Sequence, residues 1–161
     1  MRLIVLSSTA LALAVAGSAQ ASHPRTIVLG KSIGPVRLGM SEQAVIGVLG
    51  KPRVAKNANY GGKPLRVATH AVHGARFDVD YDRATRKVVG FQTNSSYFKT
   101  ADGIGPGSPL RRVRALPGFR FGQCTANWEA SRHGVLVSFV PRAGASTVES
   151  ISMIRPTYTS C

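Results

Sequence analysis

The chain has 161 residues, of which 21 are Lys or Arg and 7 are Asp or Glu, a formal charge of +14. Such a surplus favours anionic partners, whether nucleic acid, acidic envelope polymers, lipid headgroups or acidic proteins. No G-x-x-x-x-G-K-[ST] loop and no C-x-x-C pair occurs, which excludes the familiar phosphate-cradling and dithiol redox motifs.

Met1-Arg2 is a short positive start, Leu3 to Val15 is almost wholly apolar, and Ala19-Gln20-Ala21 is a small-x-small cleavage site. Residues 1–21 are therefore expected to be a secretory signal peptide, with the mature chain starting at Ser22 in a secreted, periplasmic or cell-envelope setting. A retained anchor needs about 20 apolar residues, more than this stretch offers. No cysteine stands at the cleavage point to take a lipid, and no second apolar span follows. The remaining chain is long enough for one compact domain or two small lobes sharing a core.

Thr26–Leu29 is β-prone, and Gly30 to Gly39 is expected to interrupt regular structure. Ser41 can cap a helix running to Leu49, with Ala44, Val45, Val48 and Leu49 on one stripe and Gly50-Lys51-Pro52 as its stop. Lys56 to Lys63 reads as a polar, glycine-containing connection. Alternation then predicts strands over Leu65–Ala71 and over Ala75–Tyr81, where Phe77, Val79 and Tyr81 face inward and Asp78, Asp80 and Asp82 face solvent. A turn at Asp82–Thr85 leads to a returning strand with Val88, Val89 and Phe91.

Asn94 to Gly107 is a connection, after which Ser108 is a candidate N-cap with Pro109 in the first helical position. Leu110, Val113 and Leu116 share one face of that second helix, ended by Pro117-Gly118. Further strands are expected near Phe119–Cys124, Gly134–Val140 and Val148–Ile154.

Gly39-Met40-Ser41, Val45 and Gly50 recur 68 residues on as Gly107-Ser108-Pro109, Val113 and Gly118. This spacing predicts an α+β protein of two related helix-then-antiparallel-sheet repeats, residues 22–96 and 97–161, with helices packed on one face of the sheet. Gly39-Met40-Ser41 and Leu49-Gly50-Lys51-Pro52 resemble the helix entry and exit of the tandem-repeat β-lactamase inhibitor proteins and of the small outer-membrane assembly lipoproteins. That resemblance implies an exported binding scaffold without catalytic machinery. The second copy departs from it with Leu116-Pro117-Gly118.

Cys124 and Cys161 are the only cysteines and are expected to form one structural disulfide in an exported chain. Asp78-Val79-Asp80-Tyr81-Asp82 begins like a calcium loop but has Arg83 and Val89 where glycine and glutamate are required. Ser96-Tyr97-Phe98-Lys99 matches S-x-x-K outside a helix and without its companion motifs, and His70 and His73 fall on opposite faces of a strand.

No constellation specifies a reaction, so the expected function is an exported, non-enzymatic binding module with no cofactor and no metal. Its partner is a macromolecule: a protein, or in the alternative an anionic envelope polymer held electrostatically. A small secreted hydrolase is the third reading. No specific nucleic-acid motif is present. The candidate contacts are the basic cluster Arg111, Arg112 and Arg114 together with Trp128 and Tyr158, two aromatics that serve equally well as core residues.

Overall fold

The structure, a computed structural model, describes residues 25–122 and 125–158. The proposed signal peptide, Cys124 and Cys161 lie outside the described residues.

Among the described residues, eleven strands and two short helices follow one another as β1 (Ile27–Val28), β2 (Ser32–Ile33), β3 (Val36–Arg37), α1 (Glu42–Leu49), β4 (Val54–Tyr60), β5 (Lys63–Val72), β6 (Ala75–Asp82), β7 (Val88–Thr93), α2 (Leu110–Arg114), β8 (Arg120–Gly122), β9 (Asn127–Arg132), β10 (Val135–Pro141) and β11 (Val148–Ile154), before a 3-10 turn at Pro156–Tyr158. The first three strands make a small sheet. The other eight form one antiparallel sheet in the order β4-β5-β6-β7-β11-β10-β9-β8.

The α+β expectation is overturned. About 50% of the molecule is strand and 12% helix, and it is not a pair of helix-then-sheet repeats. Glycine and proline punctuation cuts the helices to eight and five residues, too short to carry a layer. Meanwhile β4, expected to be a connection, and β9 lengthen the sheet on both sides. Strands β7 and β11 pair from Ile151↔Thr93 to Ile154↔Gly90, which makes the sheet continuous.

One core serves the whole molecule. Phe77, Val79 and Tyr81 of β6, Phe139 of β10 and Ile151 and Met153 of β11 are all fully buried, as are Val45 of α1, Val113 of α2 and Ile33 and Val36 of the small sheet. The strand residues alternate toward one face of the large sheet. That face is covered by the two helices and β1–β3.

The α1 N-cap is as expected: Ser41 Oγ accepts a hydrogen bond from Ala44 N at 3.3 Å. The buried stripe differs, because Ala44 and Val48 are exposed and Glu42 is buried beside Val45. Glu42 is held by Arg66 Nε of β5 at 3.1 Å and by Arg86 of the β6–β7 turn, so one carboxylate ties α1 to two loci on the sheet. The expected Ser108 cap of α2 is not made. Its hydroxyl accepts instead from Gly105 N and bonds the preceding loop, and Pro109 stands at the N-cap.

His70 lies in the covered face, 1% exposed, and neither ring nitrogen has a hydrogen-bond partner of normal geometry. Burial lowers its pKa, an effect only partly offset by the Gly50 backbone and by the charges of Asp78 and Glu42. Folding thus favours the neutral ring, and this contribution is complete above about pH 6.5 and lost as pH falls below it. Urea midpoints measured at pH 7.5 and 5.0 should fall more in the wild type than in His70→Phe; equal falls would remove His70 from the account.

Candidate functional site

On the opposite face of the large sheet a row of polar side chains crosses the strands. Register places Thr69 of β5 beside Asp78 of β6, Gln92 of β7, Ser152 of β11, Ser138 of β10, Glu129 of β9 and Arg120 of β8. Antiparallel pairing brings such neighbours within side-chain reach. Asp78, Gln92, Ser152, Ser138 and Glu129 form the floor of a trough of about 690 Å³, which also takes in Lys56, Tyr60, Asp80 and Tyr158.

The row is internally braced. Thr69 Oγ1 donates to Asp78 Oδ1 at 2.7 Å, and Arg76 Nη2 meets Asp78 Oδ2 at 2.5 Å. Gln92 Nε2 donates to Ser150 Oγ at 2.9 Å. Thr125 Oγ1 and Ser138 Oγ donate to Glu129 Oε1 at 2.6 and 3.2 Å. At the rim, Tyr158 Oη donates to Asp82 Oδ2 at 2.8 Å, and Thr85 bonds Asp82 Oδ1 through both N and Oγ1. Those hydrogen bonds hold the Asp82 carboxyl below the usual carboxylate range.

Asp80 is the exception. Burial, reinforced by the neighbouring Asp78 charge and opposed by Arg76, pushes its pKa up to about 6. Facing it across the ladder is Gly90, where an added Cβ would stand 3.0 Å from Asp80 Oδ2 and 3.0 Å from Ile154 Cγ1. Glycine there leaves room for the carboxyl. The expectation that the β6 carboxylates are a solvated face is thus corrected: Asp78 is only 6% exposed and Asp80 is half-buried.

Of the residues singled out from sequence, Arg114 and Trp128 come together, the guanidinium carbon 5.2 Å from the indole centroid. Phe121 packs edge-on against the same indole, leaving Trp128 half-buried on the surface. Arg112 is tied to the carbonyls of Asp102 and Gly103, and Arg111 is exposed. Tyr158 belongs to the trough and not to this group. Sequence reading missed Glu129 and Asp80 as members of one surface. The available signal was that three of only seven acids, Asp78, Asp80 and Asp82, alternate along one strand, as do Ser150 and Ser152 of β11. Among the described residues no group of three or more His, Cys, Asp or Glu is placed to hold a metal ion.

No protein-family model matches the chain, and no curated protein does. Solved structures do. An extracellular protein containing an SCP domain from Bacillus anthracis superposes with a TM-score of 0.61 at 9% identity, over 96% of this chain and 51% of that one. A cysteine-rich secretory protein from Staphylococcus aureus gives 0.58 at 8%, over 84% and 49%. The uncharacterised protein yfeY from Escherichia coli gives 0.54 at 13%, over 78% and 97%. The chain spans about half the length of the first two. At these identities the likeness is one of fold, and none of the three is a β-lactamase inhibitor protein or an assembly lipoprotein. Among the described residues no helix is long and apolar enough to cross a membrane.

Proposed function

We propose that the protein is an exported, non-catalytic binding module whose trough takes a hydroxyl-rich ligand of the oligosaccharide class. The observation that carries this reading is the braced polar row across the open sheet face. In a chain of charge +14, this face holds Asp78, Asp80 and Glu129 against Lys56 and Arg76, so it is unsuited to a polyanion. Ionised carboxylates accept hydroxyl hydrogen bonds more strongly than neutral oxygens do. Tyr60, Tyr158, Val67 and Leu136 add apolar surface for the C–H faces of sugar rings. Export is supported by the N-terminal pattern and by the extracellular and secretory descriptions of two structural neighbours.

Calorimetric titration against panels of neutral oligosaccharides tests the reading. Affinity should rise as pH rises through about 6, where Asp80 ionises. Asp80→Asn should weaken binding about tenfold, the size of one charge-assisted hydrogen bond at about 1.5 kcal/mol, and flatten the pH profile. Unchanged affinity and an unchanged profile would remove Asp80 from the site.

A second reading, glycoside hydrolysis, has one observation in its favour: the near-neutral pKa of Asp80 beside a second carboxyl group, Asp78, since acid–base cleavage uses a pair of carboxyl groups. Release of shortened sugars by the wild type but not by Asp80→Asn would establish it in place of the first.

A further inference from the structure

We infer that the free edge of β4 is a docking site for an extended, acidic polypeptide segment, which adds to the large sheet as a ninth strand. Among the described residues strand β4 pairs with β5 alone, through seven consecutive register positions without a bulge, from Val54↔Thr69 to Tyr60↔Lys63. Its other side therefore presents the N–H and C=O groups of alternate residues over roughly 23 Å. Six of its seven residues are exposed, including Val54 at 59% and Tyr60 at 45%.

Proteins ordinarily blunt such an edge by shortness, proline, bulges or several inward charges. The opposite edge, β8, has three residues. Strand β4 has no proline, no bulge and only Lys56 as a charge. An open, regular, seven-residue edge is the geometry of strand addition.

Charge selects the occupant. Between Glu42 and Asp78 there is no Asp or Glu, while Arg66 and Arg76 are spent on those two acids. Lys51, Arg53, Lys56 and Lys63 remain exposed, two before the strand, one within it and one opposite its end. A second copy would set these cations against themselves in a chain of charge +14, whereas a carboxylate-bearing strand meets them ahead of β4, within it and opposite its end. This edge borders the trough at Lys56 and Tyr60 but does not depend on what the trough binds.

The test is amide hydrogen exchange of the intact protein with a nine-residue, end-capped peptide of alternating Glu and Thr, and with the same peptide carrying Lys for Glu. Alternate β4 amides should slow at least tenfold with the Glu peptide alone. No slowing in β4, equal slowing with the Lys peptide, or slowing that tracks protein concentration without peptide would overturn the inference. Asn57→Pro and Ala58→Pro probe adjacent positions, one of which points away from β5. Whichever keeps the wild-type melting temperature should lose peptide binding at least tenfold, and retained binding would contradict the proposal. Should both lose the fold, Lys56→Glu with Lys63→Glu is the deciding variant: a tenfold loss is expected, and unchanged affinity would overturn the docking site.

Discussion

Val45→Asp and Val113→Asp are each expected to abolish the folding of the entire molecule. Both side chains are fully buried in one cluster that also contains Phe77, Phe139 and Ile151. A carboxylate placed in that apolar cluster costs on the order of 4–5 kcal/mol, the upper range for single substitutions. That is comparable with the total stability of a domain of this size, about 5–15 kcal/mol. The chain's single tryptophan, Trp128, lies on β9, across the sheet from α1. Its fluorescence therefore reports whether a lesion at Val45 reaches the other side. Far-ultraviolet circular dichroism and Trp128 fluorescence should be lost together in both variants. A Val45→Asp protein with a native Trp128 signal and half the strand content would show two independent lobes and contradict the single core.

Gly30→Ala should destabilise by about 3 kcal/mol or more. Gly30 has φ +77° in the β1–β2 turn, and a Cβ built on it would stand 2.2 Å from the carbonyl oxygen of Arg132, at the end of β9. The neighbour is backbone, so the small sheet would have to lift off the β9–β10 hairpin, at about 1–3 kcal/mol for overpacking. To this is added about 1–2 kcal/mol for a left-handed alanine. Gly62 provides the comparison: its φ is +75° in the β4–β5 turn, but nothing lies within 4 Å of its Cβ position. Gly62→Ala should cost only the conformational part. Equal urea midpoints for the two variants would mean that the contact at Arg132 does not restrain the small sheet.

The legible part of the fold was the part with one apolar face. Strand β6 could be read from Phe77, Val79 and Tyr81 because each alternate residue meets the core, and β10 and β11 followed for the same reason. Strand β4 could not be read, since Val-Ala-Lys-Asn-Ala-Asn-Tyr is exposed on both faces and paired along one edge. Strand β9 is only partly buried along most of its length, and its polar composition hides it equally well. The two helix signatures were located correctly, yet eight and five residues cannot define a class when eleven strands surround them. Expecting Val48 on the inner stripe failed because Glu42 occupies that face with two arginines.

The candidate site was legible as pieces only. Alternating carboxylates in β6 and alternating serines in β11 are local patterns. That Gln92 stands beside Ser152 is set by long-range register through the β7–β11 junction, which joins Asp78 and Gln92 to the Ser138–Glu129 pair of the β9–β10 hairpin. No local periodicity encodes that pairing.

Amide chemical-shift mapping of the folded protein during titration with a neutral oligosaccharide that binds it in the calorimetric panel tests the trough most directly. The shifts should concentrate on Asp78, Asp80, Gln92, Ser138, Ser152 and Glu129, and should require lower ligand concentrations at pH 7 than at pH 5. Shifts confined to the Arg114–Trp128 surface, or scattered over the exposed arginines and abolished by salt, would contradict the claim that the polar row is the binding face.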